Sequence, residues 1–403
     1  MKILYTLIIA LFINISLFAD SYTSVADGNW STYTTWSPAG VPQPGDEVII
    51  NTNVIIDDQY TYQGYWSVDG GSITVNTTAS LVAGTNVIGL IIKNGGTILN
   101  NGTISFEQMS ITGGSLTNNS TCNFYNLIYN LDTLKNYGTI QEVDSFYTSG
   151  VFYNYTNATI ESDSIQNEGF IQNDGSISVI EMYNNGSYYN NGNFSFNRYY
   201  NNITFYNNGT IISTYDATNA GLWINYVGSS VTLDHSFTNG DTINPHSAHL
   251  VVDGTFDIGH NFMNLDTISG STDGYLTVQD SSYNAGIMYG EFKFCDNTPI
   301  TSSAPYIDFN TGTIATTITY CQEEFVENIF ATEKINIYPN PATKNIFIDT
   351  DSYIKNVKIL NNIGQILIKS SAKNINITSL VSGIYFIVIE TNNTIIKRKL
   401  IVE

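Results

Sequence analysis

Apolar and polar residues alternate in short runs along most of this chain, and the runs recur at a regular interval. Between residues 90 and 217 the sequence divides into seven consecutive lines of 17 to 20 residues. Each line has an Asn- or Gly-rich corner followed by a short alternation, and most repeat the corner about six residues later, as at Gly169 and Gly175. Period-2 alternation rich in β-branched and aromatic residues indicates strands, and the unit is too short for a helix pair. The pattern predicts a parallel β-helix, or β-solenoid, with two or three strands per coil.

The predicted solenoid repeats cover residues 90–321, with a weaker pattern after residue 217. Residues 20–89 are predicted to hold the first strands and an N-terminal cap, because a solenoid needs a distinct element over its open core. Trp30 and Trp36 suit a plug in that cap. The alternative is that these two residues and Trp66 are exposed as an aromatic platform for sugars.

Asparagine is very frequent in the repeats, above all between Asn184 and Asn208. Asn and Gly tolerate the left-handed backbone conformation, so they are expected at the sharp corners of each coil. Stacked coils would place Asn above Asn at a spacing of roughly 4.8 Å, where side-chain amides hydrogen-bond in ladders. Tyr and Phe can stack in the same way. A stacked charge would repel its own copy, so low charge is an expected consequence of the fold.

The first residues have the plan of a secretory signal peptide. Residues 1–19 read MKILYTLIIALFINISLFA, with one Lys, a long apolar stretch and Ala19 before polar sequence begins. A retained membrane anchor is the alternative. The signal-peptide interpretation predicts an exported protein with no transmembrane span after the signal is removed.

Charge is scarce and unevenly distributed. Charged residues are 12% of the chain, and the formal net charge is −21. Residues 1–330 hold 5 basic and 30 acidic groups, a net of −25, whereas residues 331–403 hold 9 and 5, a net of +4. A binding surface for nucleic acid needs clustered Lys and Arg, so the acidic part is not expected to bind nucleic acid. The contrast predicts two parts with different roles.

Three cysteines are present, and export would expose them to an oxidising compartment. A disulfide between Cys295 and Cys321 is predicted. Cys122 lies inside a repeat and is expected to be a buried free thiol. No CxxC pair occurs, so cysteine metal binding is not predicted.

The C-terminal part of the chain has a separate pattern of short alternating strands with Gly or Asn turns. Residues 335–403 are therefore predicted to be a small β-sandwich, and residues 322–334, with an acid-rich start, are the predicted linker. The predicted fold class is all-β: a parallel β-solenoid with an N-terminal cap, followed by a small immunoglobulin-like β-sandwich.

The order of motifs in residues 335–403 resembles the type A sorting domain of the type IX secretion system. The matching positions are Tyr338, Pro339, Asn340, Pro341, Gly364, Gln365, Gly383, Ile384, Tyr385 and the basic residues 397–399. The resemblance implies a Gram-negative, Bacteroidetes-like source, the type IX secretion machinery as a partner, and a secreted or outer cell-surface location. It implies nothing about the activity of the cargo.

The start of the mature chain also resembles the opening of β-helix regions in secreted Bacteroidetes proteins. The matching positions are Asn29, Trp30, Trp36, Val41, Pro42, Gly45, Asp46, Val48 and Ile50. This resemblance concerns architecture more than activity.

Acidic side chains are the main candidates for chemistry. Hydrolysis of a polysaccharide would need two or more carboxylates on one face, and the candidates are Asp144, Glu161, Asp163, Asp174 and Glu181. Asp144 and Asp163 fall at the same position on neighbouring predicted coils. A solvated edge is the favoured interpretation. No nucleophile elbow, phosphate-binding loop or EF-hand loop occurs, so no cofactor is predicted.

Two further groups of residues are candidate sites. His246 and His249 are three apart, but on a strand this spacing directs the rings to opposite faces, so surface histidines are favoured over a metal site. Short Asp-Ser/Thr-apolar sequences, which Bacteroidetes glycosylate on exported proteins, make candidate O-glycosylation sites of Thr133, Ser164, Thr242 and Thr267.

The predicted function is non-catalytic. We expect an exported β-solenoid whose amide- and tyrosine-rich face serves adhesion, glycan contact or a surface matrix. Tyr and Asn suit sugars, but they equally suit plain stacking. The alternative is a β-helix polysaccharide lyase or hydrolase.

Overall fold

The structure, a computed structural model, describes residues 19–57, 63–241, 248–300, 303–321, 335–350, 352–361, 365–391 and 395–403. The predicted signal peptide (except Ala19) and the predicted linker lie outside these residues. The chain divides into two compact units, residues 1–321 and 322–403. No helix of the described residues is long and apolar enough to cross a membrane.

The first unit is a parallel β-solenoid whose coils have three faces, which confirms the predicted fold class. Face 1 is a 16-stranded sheet that is parallel except at its first pair, where Trp36–Ser37 runs antiparallel to Ser21–Ser24. The other strands of face 1 are Glu47–Ile50, Ser72–Val75, Gly96–Asn100, Gly114–Asn118, Thr133–Asn136, Val151–Asn154, Phe170–Asn173, Ser187–Asn190, Thr204–Asn207, Leu222–Asn225, His249–Val252, Thr267–Gly270, Ile287–Gly290 and Thr313–Ile314.

Faces 2 and 3 share one long strand per coil in the middle of the solenoid. The shared strands are Thr103–Ile111, Thr121–Asn130, Thr139–Thr148, Thr159–Asn167, Ser176–Asn184 and Asn193–Asn201. Elsewhere face 2 has Gly28–Asn29, Asn53–Ile56, Ser80–Ala83, Thr210–Ser213, Ser230–Leu233, Thr255–Ile258, Tyr275–Val278, Lys293–Asp296 and Thr319–Tyr320. Face 3 has Tyr65–Asp69, Gly89–Lys93, Ala217–Asn219, Phe237–Asn239, Phe262–Asn264, Ser282–Asn284 and Phe309–Asn310.

Burial alternates along most strands, as the period-2 pattern predicts. On face 1, Phe152, Tyr188 and Trp223 point inward and are fully buried, while their neighbours in the strand point outward. In-register pairing such as Phe152 with Ile171 therefore stacks apolar side chains into one core along the solenoid.

The N-terminal cap is closed by tryptophan. Trp30, Trp36 and Trp66 are each at most 4% exposed, and Trp30 packs edge-to-face on both others at ring-centroid distances of 4.9 and 4.8 Å. The indole Nε1 of Trp36 donates to the carbonyl oxygen of Trp30. The alternative of an exposed sugar platform is wrong, because no ring offers a free face. A short 3₁₀ helix, Tyr33–Thr35, lies between Trp30 and Trp36.

Asparagine forms two buried rows inside the solenoid, which confirms the predicted ladders. The first inner row follows the face 1 strands and comprises Asn100, Asn118, Asn136, Asn154, Asn173, Asn190, Asn207 and Asn225. The second inner row follows the face 3 strands and comprises Asn167, Asn184, Asn201, Asn219, Asn239, Asn264, Asn284 and Asn310. Each Nδ2 donates to the Oδ1 of the next member at 2.7–2.8 Å. Except for Asn310, every member is fully buried.

The prediction that Asn and Gly of the repeats adopt the left-handed backbone conformation is wrong for the inner rows and for the repeat glycines. No asparagine of either inner row has a positive φ, and neither do the repeat glycines Gly169, Gly175, Gly186 and Gly192. Among the described residues, left-handed backbone conformations occur at other positions, such as the turn residues Asn86, Asn94 and Asn157. The inner rows are asparagine because their amides satisfy one another and the backbone away from water.

All three cysteines lie in the first unit. Cys295 and Cys321 are joined by a disulfide, and Cys122 is a fully buried free thiol. Burial raises the pKa of the Cys122 thiol to about 12.

We expect Cys122 to weaken the fold at high pH. The thiol ionises at its ordinary pKa of about 8.5 only in the unfolded chain, so the free energy of unfolding is unaffected below that pH and falls as pH rises towards 12. At pH 10 this contribution is about 2 kcal/mol. Urea unfolding at pH 7 and pH 10 should show a smaller alkaline loss for Cys122→Val than for the natural protein. Equal losses would contradict the assignment.

The second unit contains two antiparallel sheets that share one apolar core. One sheet has Asn336–Tyr338, Asn345–Asp349 and Asn374–Asn376. The other has Ile354–Leu360, Ile366–Ser370, Gly383–Thr391 and Ile395–Val402. Ile346 and Ile348 of the first sheet and Ile387 and Ile389 of the second are buried in this core. The predicted small β-sandwich is confirmed.

Candidate functional site

Exposed aromatic side chains form a continuous series along face 1. This face-1 aromatic row comprises Tyr137, Tyr155, Tyr153, Phe170, Tyr189, Tyr206 and Tyr226. Successive ring centroids are 4.0 to 6.3 Å apart, and the row crosses six consecutive coils. All seven rings are at least partly exposed. The row combines outward strand positions with the corner positions that directly follow the face 1 strands. Phe170 is not in register with Tyr153 or Tyr189, which both pair with Gln172, so the rings touch across coils without sharing one register line.

Neighbouring rings of the face-1 aromatic row differ in how they are oriented against one another. Tyr137 and Tyr155 are parallel within 3°, so each covers one face of the other. Phe170 is tilted by 59° against Tyr153 and by 36° against Tyr189. Phe170 therefore packs on both neighbours without lying parallel to either. The row therefore offers partly exposed aromatic rings and, at its tyrosines, phenol groups to a ligand.

Polar side chains border the middle of the row, at the corners that follow three consecutive face 1 strands. Asn191 donates to Asp174 at 2.6 Å, and Asn208 donates to Asn191 at 3.1 Å. Gln172 donates to the same Asp174 at 2.9 Å. The predicted candidate Asp174 thus belongs to this amide border and stands apart from the other carboxylates.

Face 3 carries a second, interrupted set of stacked tyrosines. Tyr129 stacks on Tyr147 at 4.8 Å, and Tyr183 stacks on Tyr200 at 4.9 Å. Gln166 occupies the outward position between the two pairs. Face 3 therefore has the same side-chain chemistry as face 1 without a continuous row.

Three of the predicted carboxylates, Asp144, Glu161 and Asp163, line a groove where faces 2 and 3 meet, together with Glu142, which was not predicted. The groove has a volume of about 770 Å³ and contains Glu142, Asp144, Glu161 and Asp163. The pairing of Val143 with Ser162 and of Ser145 with Ser164 sets Asp144 beside Asp163 on the next coil. All four carboxylates are exposed, with Val143 and Val179 among the buried residues beneath. Glu181 lies just outside this groove, paired in register with Arg198.

A column of stacked rings continues along the same edge, and the sequence reasoning missed it. Tyr215 stacks on His235 at 4.6 Å, and His235 stacks on His260 at 5.1 Å. His235 Nδ1 lies 2.5 Å from Asp216, and His260 Nε2 lies 3.3 Å from Asp280. The signal in the sequence was the spacing of the three rings, because each follows the previous one by the length of one coil.

The remaining histidines do not form a site in the described residues. His246 lies outside them, while His249 points outward on face 1 with its Nε2 2.7 Å from Ser269 Oγ. Burial lowers the pKa of His249. Across the described parts of the chain, no group of three or more His, Cys, Asp or Glu side chains could hold a metal ion.

Three of the candidate glycosylation sites are described, and all are half-buried in strands. Thr133 and Thr267 each donate their hydroxyl to the preceding residue, Asp132 and Asp266, at 3.0 Å. Ser164 lies in a shared strand, and Thr242 is outside the described residues. Glycosylation at these positions stays a prediction.

The predicted motif residues of the second unit have distinct environments. Asn340 clamps the last strand, donating to the Lys399 carbonyl and accepting from the Ile401 amide, both at 2.8 Å. Tyr385 is buried and donates to the Val381 carbonyl at 2.8 Å, whereas Tyr338 is 53% exposed.

The other motif positions lie in turns and at strand ends. Pro339 and Pro341 flank Asn340, Gln365 contacts Asn361, and Gly383 opens a strand. Gly364 is outside the described residues. These environments show how some of the motif residues support the fold, and the role of each in secretion stays a prediction.

A match to a known protein family identifies the second unit. Residues 336–403 match the family described as secretion system C-terminal sorting domain. The second unit is a type IX secretion sorting domain. The solenoid is therefore the cargo of this sorting domain, which implies export to the cell surface or the medium of a Gram-negative bacterium and contact with the secretion machinery. No curated protein and no solved structure matches the chain.

Proposed function

We propose that the exported solenoid is a non-catalytic adhesion or surface-matrix protein that contacts glycans through the face-1 aromatic row. The observation that carries this proposal is the unbroken series of partly exposed rings over six coils, bordered by amides. Aromatic faces pack on the apolar faces of sugars, and amides and phenols bond to hydroxyl groups. The signal peptide and a Bacteroidetes source belong to the same proposal.

Charge supports a neutral glycan as the ligand. The solenoid part is strongly acidic, and acidic polymers would be repelled by it. The row itself includes no charged side chain, and its border has Asp174 held by two amides. A neutral polymer avoids both the repulsion and the desolvation of a charged partner.

Affinity electrophoresis of the exported protein in gels containing soluble neutral polysaccharides tests the proposal. We expect one polymer to retard the natural protein. The double variant Tyr153→Ala/Tyr189→Ala should lose most of the retardation, because these rings lie on either side of Phe170 in the middle of the row. The matched control Tyr183→Ala/Tyr200→Ala removes two stacked tyrosines from face 3 and should leave the retardation unchanged. Unchanged mobility on every polymer, or equal loss in both variants, would overturn the proposal.

A polysaccharide hydrolase is the second candidate, favoured by the four carboxylates in one groove. Neighbouring coils are about 4.8 Å apart, and carboxyl pairs at roughly this separation serve retaining glycosidases. An increase in reducing ends from the retarding polymer, abolished by Asp163→Asn, would establish this activity. No release of reducing ends would leave binding alone.

A further inference from the structure

Adjacent coils hold exposed tyrosines in direct ring contact at several places. Tyr137 and Tyr155 stack at 4.0 Å and 3°, closer than the pairs Tyr129–Tyr147, Tyr183–Tyr200 and Tyr189–Tyr206 at 4.5–4.9 Å. Tyr137 is 46% exposed, so a small oxidant can reach this pair from solvent. A hydrogen bond with Tyr137, more than burial, raises the pKa of Tyr155 to about 12.

We propose that the Tyr137–Tyr155 stack is a site of oxidative cross-linking, at which a peroxide-driven one-electron oxidant joins two neighbouring coils through a dityrosine bond. The less close tyrosine pairs are secondary sites of the same kind. Both tyrosines belong to the face-1 aromatic row, but their coupling requires no bound glycan.

The reaction is an oxidative coupling of two phenols. Each tyrosine loses one electron and its phenolic proton to give a tyrosyl radical. The two radicals form one carbon–carbon bond between ring positions ortho to the oxygens, which leaves each oxygen as a ketone. Each ortho hydrogen then moves as a proton to that carbonyl oxygen, which restores both phenols. The hydrogen peroxide that accepts the two electrons and two protons is reduced to two molecules of water. The cross-linked protein is lighter by two hydrogen atoms.

The fold favours this pair over random coupling. The two strands that precede the rings are fixed in register, with Asn136 opposite Asn154. Parallel rings at 4.0 Å keep the two phenols in face-to-face contact, so their ortho carbons can meet after only a small side-chain movement. A partner held in contact reacts as if at very high local concentration, whereas coupling between molecules depends on collision.

The product would reinforce the solenoid. A bond between Tyr137 and Tyr155 joins consecutive coils and closes the chain between them into a loop. Cross-links of this kind restrict the unfolded chain and so resist unfolding.

The test treats dilute exported protein with a haem peroxidase and limiting hydrogen peroxide. Digestion at acidic residues separates the two tyrosines, because Glu142 and Asp144 lie between them. We expect mass spectrometry to find these two peptides joined, two hydrogens lighter, in the monomeric fraction and at a yield independent of protein concentration. Dityrosine fluorescence should appear together with a raised urea midpoint.

Two variants and an oxidation of the unfolded protein distinguish coupling at this stack from unspecific oxidation. Tyr137→Phe keeps a ring for stacking but cannot form a phenoxyl radical, so it should lose this joined peptide and retain the fold. Tyr33→Phe removes a tyrosine that is 64% exposed and should change nothing. Unfolding in urea before oxidation should abolish the pair preference. Coupling of Tyr33 as often as Tyr155, or cross-links found only between molecules, would overturn the proposal.

Discussion

Asn184→Asp is expected to destabilise the solenoid by about 3–5 kcal/mol at pH 7, enough to unfold much of a marginal protein. Asn184 is fully buried in the second inner row, and its Nδ2 donates to Asn201 Oδ1 and the Thr204 carbonyl, both at 2.8 Å. A carboxylate there would face two acceptor oxygens with no donor of its own. Burial would also leave its charge without a counter-ion. Urea unfolding followed by circular dichroism measures the loss.

The neighbouring residue provides a matched control. Asn185 is half-exposed, and its Oδ1 accepts from Asn202 at 2.6 Å, a bond that an aspartate retains. Asn185→Asp should therefore cost less than about 1 kcal/mol, as surface changes usually do. The Asn184→Asp loss should shrink below about pH 4, because the cost of a carboxyl whose pKa is raised by folding disappears once the unfolded chain is also protonated. Equal losses in the two variants would refute the role of the buried row.

Gly192→Ala is expected to cost about 3 kcal/mol or more, although it adds a single methyl group. A Cβ at residue 192 would lie 2.1 Å from the carbonyl oxygen of Gly175 in the preceding coil. That oxygen accepts the Asn193 amide at 2.8 Å, so relieving the clash separates the coils and breaks a bond between them. Thermal and urea unfolding should both show the loss.

Gly228 provides a control for Gly192→Ala, because it has a left-handed backbone conformation but no close contact with another coil. It has a φ of +83°, and a Cβ there would meet nothing within 4 Å. Gly228→Ala should cost only about 1 kcal/mol, the usual penalty for placing a side chain in the left-handed region. If Gly228→Ala is the more damaging change, the repeat glycines are not required for coil contact.

The repeat and the strand period were sufficient to predict the solenoid, because each coil uses the same inward positions as the next. Phe152, Ile171 and Tyr188 could be placed on one inner line by their spacing alone. The sorting domain could also be recognised from local motifs such as residues 338–341. These features depend on short-range order along the chain, which a sequence displays directly.

The sequence predicted the asparagine ladders, but it did not predict why the repeats contain glycine. The enrichment of Asn and Gly indicated corners and ladders, but the inner asparagines do not need a left-handed backbone, and the repeat glycines serve close contact between coils. Both corrections depend on distances between coils, such as the 2.1 Å approach at Gly192. No single line of the sequence contains such a distance.

The sequence by itself determined that this protein is a low-charge, stacked β-solenoid followed by a sorting domain, because periodicity and local motifs need no knowledge of neighbours. Only the tertiary structure decided which tyrosines meet in a row on face 1, which carboxylates share a groove, and that Tyr215, His235 and His260 stack. The physical reason is register: a shift of one residue in any coil would turn an outward ring inward, and register is set by contacts between coils.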